Sequence, residues 1–499
     1  MSTLTQLISI FRKAAAFMLL PLLAWSCQWM TEDYDDELVD SSSEVPQYIN
    51  ITISVSAGKI PATRANPAGG EYGDGVEQGI DTRENEVKNI TLIFYEDATG
   101  INTNSAEAVV ACVKSYAVSR YSEGDLPAAH THKAGESEAL KDAEILYTTG
   151  DQELNGTTLQ VGKTYKVLAV ANGYVDVKAG DKITAVRDKV LTSIYSGSGV
   201  GTSATDFVMT SESDATISLT NPTLYTSTTV AAKNRFVYYF DCIHIERMAA
   251  RIDYWAKNSN GYKTSYTDHP GYEYVAKMED GTPSPDRFVL TSITPFNLNG
   301  GDEYLFKRTN DASNAYLADE TTENWVVDPT TSSKTTASHP VSLLSPLTTV
   351  VSDMTGTYNV TMASQQTNKL TVSGSDNIIL AYPKENTLTA TTPLYYYATG
   401  LAFEGYYYQN GATTGGERRV YYYFIRHQGE SDKPYPAMKA EELSTTATIG
   451  SSGTPMNFGI VRNNIYRVSI EGINATTGII QIKIQEEKWR HVDNPTIYI

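Results

Sequence analysis

Seven histidines are the side chains best suited to proton transfer or metal binding near neutral pH: His130, His132, His244, His269, His339, His427 and His491. Only His130 and His132 stand close together, and no Cys or third His beside them completes a zinc set, so the pair reads as part of a solvated loop. No nucleophile elbow, HExxH, phosphate-binding loop or EF-hand loop occurs. Gly73-Asp-Gly75 sits in a loop with no helix behind it to hold a phosphate. Among 58 acids a pair of glycosidase carboxylates has no distinguishing signal. The triplets Tyr395–Tyr397, Tyr406–Tyr408 and Tyr421–Tyr423 could form a sugar-stacking platform, but in alternating strands such triplets serve equally as cross-strand packing. The expectation is therefore no enzyme, no cofactor and no metal. With Lys+Arg at 39 and a net charge of −19, the chain also repels phosphate backbones, which argues against nucleic acid as a partner.

The chemistry that remains is processing of the N-terminus. Residues 1–27 read MSTLTQLISIFRKAAAFMLLPLLAWSC, with Arg12 and Lys13 ahead of an apolar run that is too short to span a bilayer and suits an export signal. Ser26-Cys27 at its end resembles a bacterial lipobox, where the signal is cut before the cysteine and acyl chains are attached to it. Trp25 departs from that motif's small residue, and the alternative is an ordinary secretory signal with an incidental cysteine. The lipobox reading makes 1–26 the signal peptide, Cys27 the lipidation site and 27–46 an acylated acidic tether. Six acids and no base lie in 31–40, a solvated stretch resembling the acidic segment that routes Bacteroidetes lipoproteins to the outer face of the outer membrane. Of the three cysteines, Cys112 and Cys242 are then left either to pair or to stay as buried thiols.

The elements that position everything else are strands. Tyr is abundant at 34, charged residues are only 19% and hydrophobic residues 41%, a balance for β-cores rather than helix bundles or disorder. Residues 48–56 (YINITISVS) alternate strictly, with Ile49, Ile51, Ile53 and Val55 on one face. Residues 57–86 hold six Gly and two Pro and read as a long exposed loop. Strands are predicted at 87–95, 108–118, 164–171, 207–210, 235–239, 377–381, 394–403, 420–427, 462–470, 479–485 and 496–499, with short helices at 136–146 and 184–193. A composition shift near 240 divides the chain into 47–240 and 241–499, and 309–340 reads as a polar surface insertion. The fold class expected is all-β: two consecutive β-sandwich domains with long loops and a few short helices.

Several segments in order resemble the FimA/Mfa-type fimbrillins of Bacteroidetes, the type V pilins: the lipoprotein signal, ENEVKNITLIFY (84–95), ERMAARID (246–253), VYYYFIRHQG (420–429), FGIVRNNIYRVSI (458–470), KWR (488–490) and the terminal PTIYI (495–499). The resemblance covers nearly the whole chain, and its C-terminal part is most like Mfa-type major subunits. It implies two transthyretin-like sandwich domains and export as an outer-membrane lipoprotein. It also implies that a trypsin-like, arginine-specific protease cuts the loop after the first strand. Loss of that strand then opens a groove, which the C-terminal strand of another subunit fills.

Carried onto this sequence, the displaced strand is 48–56 and the scissile bond Arg64–Ala65. Lys59 and Arg83 are the other basic residues of the loop, and the alternative for Arg64 is one more solvated loop arginine. The donor lies within 479–499, where Ile480, Ile482, Ile484, Ile497 and Ile499 supply the apolar row; the same strands could simply complete the second domain's own sheet. The partners implied are identical or related fimbrial subunits, the protease, the outer membrane through the lipid before cleavage, and a host or bacterial surface ligand. The place of action is the cell outer membrane for the precursor and the extracellular fimbrium after cleavage. A stalk pilin is the leading reading. The alternatives are a tip or anchor subunit acting as adhesin, or a monomeric surface glycan-binding lipoprotein.

Overall fold

The computed structural model of the chain describes residues 45–55, 83–96, 108–121, 145–225, 234–310, 325–335, 343–344, 346–352, 358–362, 369–374, 377–389, 391–392, 394–426, 434–439, 442–443 and 458–488. The chain is all-β. Its first half carries β1 (Gln47–Val55), β2 (Asn89–Glu96), β3 (Val110–Ala117), β4 (Ser119–Arg120), β5 (Ile145–Thr148), β6 (Gln152–Glu153), β7 (Thr164–Ala171), β8 (Val190–Leu191), β9 (Met209–Ser211), β10 (Ala215–Ser218), β11 (Thr223–Tyr225) and β12 (Arg235–Arg247). The second carries β13 (Arg251–Trp255), β14 (Tyr262–Lys263), β15 (Gly271–Lys277), β16 (Pro283–Phe296), β17 (Leu298–Asn299), β18 (Glu303–Tyr304), β19 (Leu343–Leu344), β20 (Leu347–Ser352), β21 (Tyr358–Met362), β22 (Leu370–Thr371), β23 (Asn377–Ala381), β24 (Gly400–Tyr408), β25 (Glu417–Phe424), β26 (Tyr435–Pro436), β27 (Asn464–Asn474) and β28 (Ile480–Lys488). Among the described residues, two short helices, α1 (Ile183–Arg187) and α2 (Leu394–Tyr397), and one 3-10 turn complete the regular elements.

Hydrogen bonds join the first set in the order β3-β2-β7-β9-β12-β1-β5-β4 and the second in the order β23-β13-β27-β15-β16-β24-β25, with β28 on the free flank of β27. Strands from both ends of the first path, β3 through Val110 and Cys112 and β5 through Ile145 and Tyr147, feed one core. That convergence is what a sheet folded back over itself as a sandwich requires. The second set encloses its own core around Tyr254, Phe288, Phe403 and Val468. The cores meet: Leu305, Phe306, Tyr382 and Ile465 of the second half pack into the first core.

Period-2 alternation located two strands to the residue, 164–171 and 377–381, and others with shifted ends. The polar surface insertion expected over 309–340 is not wholly on the surface, because Val326, Asp328, Thr331 and Lys334 are buried and Lys334 pairs with Asp328, and three further local expectations need correction. The helix expected over 136–146 fails at its end, where 145–146 belong to β5. The helix expected over 184–193 stops at Arg187, and 190–191 form β8 against β18. The strand expected over 394–403 begins only at Gly400, because Leu394–Tyr397 is α2. There the side-chain amide of Asn297 donates to the carbonyls of Tyr395 and Ala398, both at 3.1 Å, holding a turn that strand propensity alone disfavours. Gly400 fits because a Cβ would collide with the Phe296 ring and the Tyr423 carbonyl.

The first-half strand β12 passes 240 without interruption and leaves its sheet at Arg247. Three fully buried residues, Met248, Ala249 and Ala250, then lead straight into β13. A connection that short sets the end of one sheet against the start of the next.

Candidate functional site

β1 is built as an interior strand. Ile49, Ile51 and Ile53 are fully buried and Val55 nearly so, all in the first core. The sequence places these four on one face through strand period alone. What the period could not give is the neighbours. β1 runs parallel to β12, from Gln47 beside Phe236 to Val55 beside Ile245, and antiparallel to β5 and β6 on its other side. A bulge lies between Ile51 and Ile53, where β12 advances by an extra residue. Both edges are engaged by backbone bonds: Phe236 N–H donates to Pro46 at 3.0 Å, Leu154 N–H to Gln47 at 2.8 Å and Thr149 N–H to Ile51 at 3.1 Å. The Asn50 side chain adds a bond to Asp151 at 2.9 Å and accepts one from Thr148 at 2.9 Å.

Four buried aliphatic side chains contribute on the order of 1.5–3 kcal/mol each, and each ladder bond adds about 1 kcal/mol. Removing β1 would therefore open an apolar slot and leave the facing edges of β12 and β5 without partners. Such an edge is a template for another strand.

The end of the loop that follows β1 is not exposed. Glu84 and Asn85 are fully buried, in contrast to the exposed loop expected over 57–86. They stand where the two halves meet. The Glu84 carboxylate accepts from Arg251 at 3.0 Å and from the Tyr382 hydroxyl, and its backbone carbonyl accepts from Arg247 Nε at 2.8 Å. The Asn85 carbonyl accepts from the Tyr147 hydroxyl at 2.9 Å, and its side chain accepts from Arg247. Arg247 also donates to Asn463 at 3.1 Å. Arg251 is tied to Asp253 at 2.9 Å.

Burial pulls Arg247 down to about 10, with Glu84 opposing, so it stays a cation at neutral pH. Burial likewise works against Arg251, but Asp253 and Glu84 outweigh it and raise that group. Arg83 donates to the Thr202 carbonyl and reaches the Tyr382 hydroxyl at 3.5 Å. Glu84, Asn85, Arg247, Arg251 and Asn463 lie in segments that carry the family resemblance, but nothing in the sequence pairs them: Glu84 and Arg251 are 167 residues apart.

Ile480, Ile482 and Ile484 lie in β28, which pairs antiparallel with β27 from Ile480–Ile473 to Lys488–Asn464. All three are buried in the second core, and β26 covers part of the outer edge through Ile482. Cys27, Arg64, Ala65, Ile497 and Ile499 lie outside the described residues, as do His130, His132, His339, His427 and His491. Cys112 is a buried free thiol.

The tyrosine triplets are mostly core. Tyr395, Tyr397, Tyr407, Tyr408 and Tyr421–Tyr423 are all buried, and the half-buried Tyr406 is stacked on His269 at 3.3 Å between ring centroids. Little of their faces is left for a sugar. Among the described residues no three His, Cys, Asp or Glu gather as a metal-binding group, and no helix is long and apolar enough to cross a membrane.

No family model and no curated protein matches the chain. Solved structures do resemble it. The tip fimbrial protein Mfa3 from Porphyromonas gingivalis with C-terminal truncation aligns at 11% identity and TM-score 0.39, over 89% of this chain and 100% of that one. A fimbrilin (fimA) from Porphyromonas gingivalis W83 aligns at 13% identity and TM-score 0.38, over 90% and 99%. A fimbrial assembly protein from Parabacteroides distasonis aligns at 10% identity and TM-score 0.33, over 89% and 96%.

Proposed function

We propose that the chain is a structural fimbrial subunit, a stalk pilin of the FimA/Mfa type, that polymerises by protease-triggered strand exchange. The observation that carries this reading is β1: an interior strand whose Ile49, Ile51, Ile53 and Val55 lie in the first core, followed in sequence by the segment that holds Arg64. In this reading the two halves, 47–240 and 241–499, are transthyretin-like sandwich domains. The precursor is acylated at Cys27 and held in the outer membrane. An arginine-specific, trypsin-like protease cuts Arg64–Ala65, which releases both the lipid anchor and β1. The C-terminal region of another subunit, within 479–499, then fills the vacated slot. Gain of a slot's worth of burial, on the order of 10 kcal/mol before ordering costs, suits a durable non-covalent link. Slot and donor are different surfaces, so the contact is head-to-tail and builds a filament rather than a closed dimer. The molecule does no chemistry of its own in this scheme and needs no cofactor.

The test is to treat the purified precursor with an arginine-specific protease and to read N-termini and SDS-resistant species. The reading expects a new N-terminus at Ala65 and a ladder of multimers. Clean loss of residues up to Arg64 with monomers left unchanged would sink it.

A further inference from the structure

An asparagine followed by glycine can react with itself, because glycine has no Cβ to shield its backbone nitrogen from the neighbouring side-chain amide. The chain holds five such pairs: Asn155-Gly156, Asn172-Gly173, Asn260-Gly261, Asn299-Gly300 and Asn410-Gly411. The fold treats them unequally. Asn172 uses its whole amide. Its NH2 donates to the carbonyls of Glu86 at 2.6 Å and Phe207 at 3.1 Å, and its oxygen accepts from Lys88 N–H at 2.9 Å. Asn299 is buried, donates to the Glu385 carbonyl at 2.6 Å and accepts from Gly301 N–H at 2.9 Å. Asn260 donates to the Glu273 carboxylate at 3.0 Å, and the neighbouring Gly261 N–H is spent on the Ser259 hydroxyl at 3.2 Å. Asn155 donates to the Glu153 carboxylate at 2.8 Å. An amide held in these ways cannot turn its carbon toward the next backbone nitrogen until its bonds break.

Asn410 is not held so. It lies at the tip of the β24–β25 hairpin, where 409–415 are all exposed. Among the described residues its side chain makes no hydrogen bond, and neither does the Gly411 N–H. A Cβ on Gly411 would meet nothing nearer than the Pro285 carbonyl at 4.0 Å, so water reaches this nitrogen freely. Asn410 and Gly411, at φ 54° and 73°, form the centre of a tight turn closed by Ala412 N–H donating to Gln409 at 3.0 Å. One tether supports it: Asn410 N–H donates to Asp286 at 2.8 Å, and the other oxygen of that carboxylate accepts from the Tyr407 hydroxyl at 2.8 Å. Opening the turn costs two surface hydrogen bonds and moves no core residue. Freeing Asn172 or Asn299 breaks ties between separate elements.

We propose that Asn410 is a self-modification site: the hairpin tip converts to aspartate and isoaspartate while the fold preserves the other four pairs. When the turn opens, the Gly411 nitrogen gives its proton to water or hydroxide and attacks Cγ of Asn410. The Cγ–Nδ2 bond breaks, ammonia leaves with a proton taken from solvent, and a succinimide ring closes. Water then opens the ring at either carbonyl. One opening leaves aspartate; the other routes the backbone through the side chain as isoaspartate. An NH2 has been exchanged for an OH, with water as the sole co-reactant. Because the nucleophile is the deprotonated nitrogen, the rate rises with pH. Either product adds a negative charge beside Asp286, and isoaspartate also lengthens the backbone of the turn.

The experiment incubates the purified full chain in warm buffer, at neutral and at mildly alkaline pH, with a parallel sample unfolded in guanidinium chloride. Fragment masses read the NH2-to-OH exchange at each pair over time. Heavy-oxygen water marks the conversions that occur during incubation, and an isoaspartyl methyltransferase reads isoaspartate. In the folded chain Asn410 is expected to convert first, about tenfold or more ahead of Asn172 and Asn299, and in guanidinium chloride the five should draw within a few-fold of each other. Asp286→Ala, which unties the turn, should quicken conversion at Asn410 and leave the other four unchanged. Asn410→Gln should remove the signal from the tip. Thermal melting checks that both variants fold like the parent. Earlier conversion of another pair in the folded chain, or no conversion at Asn410 while the chain stays folded, overturns the proposal. So does an equal lead for Asn410 in guanidinium chloride, which would make it a property of local sequence alone. An unchanged rate at Asn410 in Asp286→Ala would overturn the route through an opened turn.

Discussion

Glu84 belongs to the first half by its backbone and to the second by its partners, Arg251 and Tyr382. Glu84→Ala leaves Arg251 paired with Asp253 but removes the contact across the junction. Because a cation that loses a buried partner is costly, the variant is expected to lose about 3 kcal/mol of stability in urea unfolding. The same change bears on which arginine can be cut. The bond after Arg83 leads into a fully buried residue whose carbonyl is held by Arg247, so it cannot extend into a protease cleft. Native protein is expected to resist cleavage at Arg83, and Glu84→Ala to yield that cut, read by fragment mass. A second buried group sets a pH dependence. Glu303 lies 3.3 Å from the Arg462 guanidinium, which also binds Glu385 at 2.8 Å, all three buried. Burial raises Glu303 well above its ordinary 4.5; Arg462 opposes this and Glu385 adds to it. An acid raised by folding contributes stability that is full below its ordinary value and lost as pH rises through the folded one. Glu303→Gln should match the parent in urea unfolding near the ordinary value and exceed it increasingly as pH rises. A constant difference across that range would contradict the raised value.

At the scale of elements, the proposed exchange requires β1 to be held firmly before cleavage and released after it. Ile51 sits at the middle of the strand, fully buried beside the bulge. Ile51→Ala leaves a cavity and should cost the uncut precursor about 2–5 kcal/mol in denaturant unfolding. After cleavage the same loss weakens the hold of β1 on its slot. The proposed exchange then predicts faster growth of the ladder from Ile51→Ala than from the parent. A slower or unchanged rate would mean that departure of β1 does not limit assembly. β28 makes the contrasting case: its three isoleucines are as buried as those of β1, but its removal opens the second core with no loop to direct it.

At the scale of the whole molecule, the two halves are joined by more than the chain. The Tyr382 N–H donates to Gly199 at 2.7 Å, Gly201 N–H to Leu380 at 2.9 Å, Lys384 reaches both Thr192 and Gly301, and β8 pairs with β18. Shared core residues and buried polar ties should make unfolding cooperative across both. The buried thiol of Cys112 reports on the first half, and Trp255, Trp325 and Trp489 report on the second, while Trp25 and Trp29 precede β1. In protein carrying Cys27→Ser, Cys242→Ser, Trp25→Phe and Trp29→Phe, thiol labelling and tryptophan fluorescence are expected to give coincident urea transitions. Separate midpoints would show that the junction is weaker than its contacts suggest.

The sequence by itself determined what depends on near neighbours. Alternation at 48–56 is a property of nine successive residues, so it fixed both the strand and the face that Ile49, Ile51, Ile53 and Val55 bury. Only the tertiary structure decided what depends on residues distant in the chain. It set β1 parallel to β12, carried β12 through to the junction and turned 394–397 into a helix around Asn297. It also gathered Glu84, Asn85, Arg247 and Arg251 into one buried clasp. Strand period gives a side chain's face but not its neighbour, and a charge reads as solvated until folding brings its partner close enough to be worth burying.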